Sequence, residues 1–344
     1  MASREKVRAK RPLSARERRD RRIALFVGVA GAVVFAVLGI AGLVATFASM
    51  SVADATPRAT PTPIGEPLYV DPDSHAARHA VEDERLLPLA ETPQAKWFGG
   101  WSTVASAAED VEEYLKGAAE SGEVPVMVIY QIPGRDCGSF SAGGLRDADE
   151  YRGWVEAAAE VLVHYPGSIV IMEPDALLMA DRCTDEAERT GLIADAVRRL
   201  SASGARVYID AAHSGFREID VMVRRLLDAG IADATGFATN VSNYRPTADE
   251  IAYAERLVQR LVDEGVEDPH YVIDVSRNGA LLSSEEWCNP PDARVGQYPS
   301  LYTGTPLDAL LWIKRPGETD GACNGGPAGG FWVEGALSLL DIGQ

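Results

Sequence analysis

The chain has 344 residues, 46% of them hydrophobic, and is long enough to bury a sizeable core. Its formal net charge is −18, yet residues 1–22 hold ten Lys or Arg against three acidic residues, a net of +7, so the remainder carries −25. A strongly acidic body argues against nucleic acid as the partner, because phosphate binding needs clustered positive charge.

The first predicted elements are the basic head, residues 1–22, and an uncharged apolar stretch, residues 23–48. About 20 apolar residues span a bilayer, and flanking Lys and Arg keep that end in the cytoplasm. We therefore predict a single-pass segment in the cell membrane, with the rest of the chain outside the cell. The alternative is a signal peptide cleaved near Val52–Ala55, which would leave the protein secreted, although signal h-regions usually have only about 7–15 residues.

Residues 49–66 are rich in Pro and Thr, and we predict that they form an extended spacer before a folded domain at residues 67–344. The domain contains all four cysteines: Cys137, Cys183, Cys288 and Cys323. An even number of cysteines in an exported domain favours two disulfides, and the spacing leaves all three pairings open. The chain has no CxxC pair and only five His, which argues against a zinc site.

Within the domain, apolar runs alternate with helical segments. The predicted strands are Lys96–Trp101, Val124–Ile132, Ser168–Asp175, Arg206–Ala212, Thr235–Ser242, His270–Asn278 and Asp308–Lys314. The predicted helices are Val104–Gly122, Asp147–Pro166, Asp185–Gly204, Phe216–Gly230 and Thr247–Gly265. Thr247 and Glu250 fit a capping box at the start of the last of these helices.

The predicted strands are continuous apolar runs rather than alternating ones, which indicates strands buried on both faces of a parallel sheet. Seven such strands with intervening helices favour an α/β fold of the (β/α)-barrel type, although an eightfold barrel does not match the count. An open doubly wound sheet is the alternative. In both architectures the carboxyl ends of the strands gather at one face, where ligands bind.

Four of the predicted strands end in, or run into, an aspartate: Asp136, Asp175, Asp210 and Asp274. These carboxylates should converge at the carboxyl ends of the strands, where mutual repulsion raises at least one pKa. A protonated acid beside ionised carboxylates is what glycoside hydrolysis requires. The rival chemistry is Mg²⁺ or Ca²⁺ binding by a metal-dependent hydrolase, which sensitivity to EDTA would reveal.

Aromatic and polar residues near the same strand ends indicate the substrate. The aromatic residues are Trp97, Trp101, Tyr130, Phe216, Tyr244 and Trp287. The polar residues are His213, Asn240, Asn243, Lys314 and Glu318. Sugar rings have apolar faces that stack on aromatic side chains, and their hydroxyl groups bond to amides and charged groups. The combination suits a neutral polysaccharide outside the cell.

Seven segments resemble, in order and spacing, the motifs of glycoside hydrolase family 6, the cellulases. They are "VPVMVIYQIPGRDCGSFSAGG", "IVIMEPDAL", "YIDAAHSGF", "ATNVSNYRPTADE", "VIDVSRNG", "EWCNP" and "LWIKRPGETDG". The resemblance covers residues 67–344. It implies a distorted seven-stranded (β/α) barrel that hydrolyses β-1,4-glucan with inversion at the anomeric carbon and without a cofactor.

The resemblance also implies roles for individual residues. Asp175 resembles the general acid, and Asp136 the second acid that keeps Asp175 protonated and supports water-mediated base chemistry. Tyr130 resembles the residue that crowds the reacting sugar, Arg135 an electrostatic partner of the acids, and Asp210 a supporting carboxylate. Asp320 matches the position proposed as the base. Ser141 lies in a loop that helps to place the water.

Other positions match the substrate contacts of the family: Trp97, His213, Asn243, Trp287, Lys314 and Glu318. The resemblance pairs Cys137 with Cys183 and Cys288 with Cys323. Asp274 stays outside the catalytic set, because its position suggests an ion pair with Arg277 or support of the barrel. Phe216 and Ala212 depart from the family, which often has Trp and Gly there, and the smaller ring should weaken one sugar subsite.

Loop length bears on the mode of attack. Chain-end-acting members roof the cleft with long loops, but only 18 residues separate Cys288 from Leu307. We therefore expect an open cleft and a monomeric endoglucanase. The alternatives are a cellobiohydrolase of the same family and a catalytically inactive glucan-binding sensor on the membrane.

Overall fold

The computed structural model describes residues 60–138, 141–183, 185–216, 218–282 and 286–341. The predicted basic head, membrane segment and first part of the spacer therefore lie outside the described residues. None of the helices in the described ranges is long and apolar enough to cross a membrane.

Among the described residues, nine strands form one sheet. They are β1 (Thr62–Ile64), β2 (Lys96–Phe98), β3 (Val126–Ile129), β4 (Ile169–Met172), β5 (Arg206–Asp210), β6 (Gly236–Thr239), β7 (His270–Asp274), β8 (Ser300–Thr303) and β9 (Leu307–Leu311). The helices are α1 (His75–Ala80), α2 (Leu87–Ala90), α3 (Ala107–Ser121), α4 (Ala148–Leu162), α5 (Ala180–Cys183), α6 (Glu186–Ala202), α7 (Ile219–Asp228), α8 (Thr247–Asp263) and α9 (Val333–Leu339).

The sheet has the order β1-β8-β9-β7-β6-β5-β4-β3-β2. The seven predicted strands are its parallel strands, β2 to β7 and β9. The prediction of seven strands in total is wrong, because β8 pairs antiparallel with β9, and β1 pairs antiparallel with β8. Thr62–Ile64 belong to the predicted spacer, so the folded domain begins before residue 67.

The two faces of the parallel sheet bury different clusters. The inner cluster includes Val126, Val128, Ile169, Ile171, Tyr208, Ala238, Val272, Ala309 and Leu311, with no residue from a described helix. The outer cluster packs the alternate strand residues, such as Met127, Val170, Ile209 and Phe237, against the helices. Helices thus cover one face only, as in a barrel and unlike a doubly wound sheet.

The sheet is curled, so that its first and last parallel strands approach each other. The amide N–H of Ala95, just before β2, donates to the carbonyl of Trp312, just after β9, at 2.9 Å. Trp97 Nε1 donates to the carbonyl of Ile313 at 2.7 Å. The curled sheet gathers its carboxyl ends around one cleft.

Some helix ends follow local sequence signals and others do not. The Asp147 side chain caps α4 by accepting from the amides of Asp149 and Glu150, and Gly122 ends α3 with a left-handed φ of 71°. The capping box predicted at Thr247 and Glu250 is wrong. Pro246 is the N-cap of α8, without a side-chain bond, and buried Glu250 instead accepts from the amide of Ser214 at 2.8 Å.

A partly buried polar network joins three strands towards the amino-terminal ends of β7 and β9. Tyr208 Oη donates to Asp308 Oδ2 at 2.6 Å, and His270 Nδ1 lies 2.7 Å from Asp308 Oδ1. The hydrogen bond to Asp308 is the main reason that the pKa of His270 is raised to about 9.

We expect Asp308→Asn to lower the free energy of unfolding by about 1.5–3 kcal/mol near pH 6, because hydrogen bonds to a charged group are lost. A raised pKa in the folded state stabilises fully below the unfolded value of about 6.5, and this stabilisation is lost as pH rises through about 9. Urea unfolding at pH 6 and pH 9.5 should therefore show a difference between wild type and variant that shrinks at the higher pH. An equal difference at both values would contradict the network.

Candidate active site

Carboxylates from neighbouring strands meet at the carboxyl end of the sheet. Asp136 lies in a short 3₁₀ turn after β3, Asp175 follows β4, and Asp210 is the last residue of β5. The backbone N–H of Asp175 donates to Asp210 Oδ2 at 2.8 Å. The structure thus brings Asp175 and Asp210 into direct contact, as the strand-end pattern predicts.

The backbone around these carboxylates adopts left-handed conformations that L-residues rarely take. The positive φ angles are those of Asp136 (56°), Cys137 (49°), Glu173 (48°), Asp175 (65°), Ala212 (62°), Asn240 (63°) and Ser242 (61°). Each costs on the order of 1–2 kcal/mol. They follow β3, β4, β5 and β6, so strain is concentrated where the candidate acids lie.

Asp175 and Asp210 both hold protons more tightly than isolated carboxyl groups. The pKa of Asp175 is raised to about 6, first by burial and then by repulsion from Asp136, while Lys314 acts in the opposite direction. Burial and the charge of Asp175 raise the pKa of Asp210 well above its usual value. In weakly acidic solution Asp175 is therefore a protonated acid.

Asp320 is in the opposite electrostatic state. Both of its oxygens accept from Arg277 Nη1 at 2.9 Å, Oδ2 also accepts from Tyr244 Oη at 2.7 Å and from the amide of Asn289 at 3.1 Å, and Lys314 Nζ lies 3.6 Å from Oδ1. Burial opposes ionisation, but Arg277 and Lys314 outweigh it and lower the pKa of Asp320 below its usual value. The cleft thus places Asp175, whose pKa is raised, and Asp320, whose pKa is lowered, in opposite charge states.

The loop after β3 is organised around Arg135. Its guanidinium carbon lies 4.0 Å from the centre of the Tyr130 ring, and it donates to the carbonyls of Ser141, at 2.8 Å, and Tyr130. Ser141 N donates to Asp136 Oδ2 at 2.6 Å. The hydrogen bonds of Arg135 therefore hold the loop backbone, and its charge also favours the ionised form of Glu173.

Aromatic side chains border this loop. The Trp97 and Tyr130 rings meet edge to face, with centroids 5.2 Å apart. Trp101 is 56% exposed, and its Nε1 donates to the carbonyl of Trp97 at 3.2 Å. Trp287 is 48% exposed. Phe216 is half-buried against the outer core.

The remaining predicted substrate contacts use part of their bonding capacity within the protein. Glu318 pairs with Arg315 at 2.6 Å and with His75 at 2.9 Å. Burial opposes its ionisation, but these neighbours hold the pKa of Glu318 at about 2. His213 Nδ1 accepts from the amide of Gly215 at 3.1 Å, and Asn243 Nδ2 donates to the carbonyl of Val241 at 2.9 Å.

Of the two roles expected for Asp274, an ion pair with Arg277 or support of the barrel, its contacts match the second. Its buried carboxylate accepts from the amides of Ser242, Ser276, Ile313 and Lys314, at 2.9–3.3 Å. It thereby connects the loops after β6, β7 and β9. The ion pair of Arg277 is made with Asp320 instead.

A disulfide joins Cys288 to Cys323, as the family resemblance implies. Cys137 is also disulfide-bonded, but its expected partner, Cys183, has a side chain that lies outside the described part of the chain. Asn289 follows Cys288, and its amide group accepts from the N–H of Asp320 at 2.8 Å and donates to the carbonyl of Gly321 at 2.9 Å. The disulfide therefore holds the segment that carries Asp320.

We expect replacement of both Cys288 and Cys323 by Ser to lower the free energy of unfolding by about 3–4 kcal/mol, because the bond closes a 35-residue loop. Hydrolytic activity should fall as well, since the segment carrying Asp320 loses its anchor. Denaturant unfolding and activity are measured on the same preparation. A loss below about 1 kcal/mol would show that the loop is held by other contacts.

Sequence reasoning missed two polar residues of the cleft. Asn289 lies within the quoted "EWCNP" motif, and Glu173 lies within "IVIMEPDAL", two residues before Asp175. Both belong to motifs already recognised, but their bonds to Asp320 and to the loop after β3 depend on tertiary contacts. Within the described residues, no group of three or more His, Cys, Asp or Glu side chains could hold a metal ion.

Comparisons with known proteins agree with this geometry. The chain is 44% identical to Endoglucanase A of Cellulomonas fimi over 79% of its own length and 60% of that protein. It is 38% identical to Endoglucanase A of Thermobispora bispora over 85% of its length and 64% of that protein. The match thus spans less than two thirds of either relative.

Among solved structures, the chain resembles the endoglucanase Cel6 from Mycobacterium tuberculosis, with a TM-score of 0.75 and 39% identity over 80% of this chain and 97% of that one. The profile of glycosyl hydrolases family 6 matches residues 66–339. The match includes β2 to β9 and every carboxylate of the cleft. The chain therefore belongs to glycosyl hydrolases family 6.

Proposed function

We propose that the domain hydrolyses β-1,4-glucosidic bonds of cellulose or a related β-glucan, with inversion and with Asp175 as the general acid. The observation that carries this proposal is the pair of carboxyl groups in opposite states, Asp175 with a pKa of about 6 and Asp320 held ionised by Arg277. A carboxyl group with a raised pKa can give up a proton, and a carboxylate held ionised can stabilise the positive charge that develops on the sugar. The similar endoglucanases support the substrate class.

In this mechanism Asp175 gives its proton to the glycosidic oxygen as the bond from that oxygen to the anomeric carbon breaks. A water attacks the anomeric carbon from the opposite face, and its proton passes to a carboxylate. Asp320 is a poor acceptor for that proton, because Arg277, Tyr244 and Asn289 already bond its oxygens. We therefore assign the proton to Asp136 through a second water, and to Asp320 the stabilisation of positive charge on the sugar.

The side walls of the cleft support glucan as the ligand. Trp97 and Tyr130 present two nearly perpendicular rings, suited to one stacked and one crowded sugar, and the charge of Asp175 acts on the Tyr130 hydroxyl. Lys314 and Glu318 are available for hydroxyl groups at the β9 end. The relative from Mycobacterium tuberculosis was solved with a thio-linked cellobiosyl cellobioside. His213, Asn243, Ser141 and Trp287 are proposed contacts of further sugars.

We propose internal attack in an open cleft, since the loop from Cys288 to Leu307 is short. The test uses the full chain on carboxymethyl-cellulose, with viscosity and reducing ends followed together. A fast fall in viscosity with few reducing ends supports internal cutting. Reducing ends without a fall in viscosity would indicate a cellobiohydrolase, and binding without cleavage a sensor.

The location of the protein is likewise a proposal. Residues 23–48 are proposed to anchor the chain in the cell membrane as a monomer, with the domain outside. Cleavage near Val52–Ala55 would instead release it. Mass spectrometry of the N-terminus of the mature protein distinguishes the two.

A further inference from the structure

Glu173 is a buried glutamate that directly links the ends of two catalytic strands. It is 1% exposed and lies between β4 and Asp175. Both carboxylate oxygens accept from the amide of Gln131 at 3.1 Å, and Oε2 also accepts from the amide of Ile132 at 3.0 Å. Its own N–H donates to the carbonyl of Ile129 at 2.9 Å. The residue thus fastens the exit of β3 to the exit of β4.

Charged and titratable groups face Glu173 from each element packed against it. Tyr151 approaches from α4, Arg189 from α6 and Arg135 from the loop after β3. Burial raises the pKa of Glu173 to about 7, although the amides of Ile132 and Gln131 favour its charged form. Burying a carboxyl group lowers the stability of the folded state unless hydrogen bonds compensate for the lost water. The presence of Glu173 in the core therefore indicates a specific role.

Glu173 holds the Gln131–Ile132 segment, which lies next to three residues of the cleft. Arg189 Nη2 supports the same segment from below, donating to the carbonyl of Gly134 at 3.2 Å. Tyr130 precedes the segment and Arg135 and Asp136 follow it. Glu173 and Asp175 are two residues apart, and both have left-handed backbone conformations, with φ of 48° and 65°. A shift of the segment relative to that stretch changes the distance between Asp136 and Asp175.

We propose that Glu173 is a positioning residue, which sets the separation of Asp136 from Asp175 by clamping the amides of Gln131 and Ile132 to the end of β4. The inference rests on the proposed function, in which Asp136 keeps Asp175 protonated. In this role Glu173 does not contact the substrate. Only a carboxylate offers acceptors on both oxygens, whereas an amide would direct N–H groups at the donors of the segment.

The test compares Glu173→Gln with Glu250→Gln in the full chain. Glu250 is a matched control, because it is a fully buried glutamate that also accepts from a backbone amide, that of Ser214. The readouts are the pH dependence of kcat/KM on carboxymethyl-cellulose and the carbon-13 NMR titration of the Asp175 carboxyl group. The signal of Asp175 is assigned by its loss in Asp175→Asn.

For Glu173→Gln we expect kcat to fall by at least about tenfold, since misplacement of a reacting group by about 1 Å costs up to about 100-fold. Both the alkaline limb of the pH profile and the NMR titration of Asp175 should move to lower pH, because Asp136 repels Asp175 less from a greater distance. KM should change by less than about twofold, since the sugar contacts lie elsewhere. Glu250→Gln should lower thermal stability and leave both titrations unchanged.

A melting temperature that falls with no movement of either titration would show that Glu173 acts on stability alone and would overturn the proposal. If Glu173→Gln does not fold, Glu173→Asp keeps the carboxylate but shortens its reach to the amides of Gln131 and Ile132, and absence of any shift in that variant overturns the proposal. The NMR titration of Asp175 can be measured even in a protein that does not hydrolyse the substrate. Wild type without hydrolysis would therefore refute the proposed function while the NMR titration still decides the role of Glu173.

Discussion

Replacing Asp175 by Asn is expected to reduce hydrolysis of carboxymethyl-cellulose by about 10²–10⁴-fold, the usual contribution of a general acid. The asparagine keeps the backbone N–H that donates to Asp210, so the loop should keep its conformation. Binding of a non-hydrolysed cello-oligosaccharide, measured by calorimetry, should stay within about threefold, because stacking and hydroxyl contacts do not involve the proton.

The control for this variant is Asp263→Asn, at the end of α8, where the side chain is 48% exposed, accepts from Gln259 Nε2 at 3.0 Å and lies 3.7 Å from Arg260, all on the surface of the helix. It should hydrolyse at the wild-type rate. Activity above about 1% in Asp175→Asn would remove Asp175 from the role of general acid. An equal loss of binding and hydrolysis would indicate a misfolded cleft instead.

Replacing Asp320 by Asn is expected to lower the free energy of unfolding by about 3–5 kcal/mol, because it leaves the buried Arg277 without its anion. Arg277 is 2% exposed and stacks 4.2 Å from the centre of the Tyr244 ring, so it has no simple route to solvent. The pKa of Asp320 is lowered in the folded state, so its stabilisation is present above the unfolded value and is lost as pH falls through the folded value. Denaturant unfolding should therefore show a larger gap at pH 7 than at pH 3.

Asp341→Asn provides the matched comparison, since Asp341 pairs with Arg294 at 3.2 Å but is 80% exposed. Exposed pairs contribute little, so this variant should unfold as wild type does. If Asp320→Asn and Asp341→Asn lower the free energy of unfolding by similar small amounts, the ion pair of Arg277 with Asp320 does not stabilise the fold. Asp320→Asn should also lose hydrolytic activity at pH 6, where it remains folded.

The sequence predicts the parallel strands because each is a continuous apolar run buried on both faces. It does not predict β1 and β8. All three residues of β1 are exposed and one is Pro63, and β8 alternates weakly between buried and exposed positions. Short edge strands of this kind depend on the partner strand rather than on their own composition. Because β1 is not predicted, the predicted boundary at residue 67 lies after the first strand of the sheet, Thr62–Ile64.

The candidate acids are predictable because parallel strands bring their carboxyl ends together, which places Asp136, Asp175 and Asp210 in one cleft. The bonds that decide their charge states are not predictable in this way. Arg277 and Asp320 are 43 residues apart, and Glu173 reaches Gln131 across 42. Periodicity carries no information on such contacts, which explains why Glu173 and Asn289 are found only in the structure.

The most direct test of the central claim compares wild type and Asp175→Asn on two substrates, cellotetraose and 2,4-dinitrophenyl β-cellobioside. The dinitrophenolate leaves without a proton, whereas the glucose hydroxyl of cellotetraose needs one. With Asp175 as the general acid, we expect Asp175→Asn to lose about 10²–10⁴-fold on cellotetraose and less than about tenfold on the activated substrate. Equal losses on both substrates would contradict the assignment of Asp175 as the general acid.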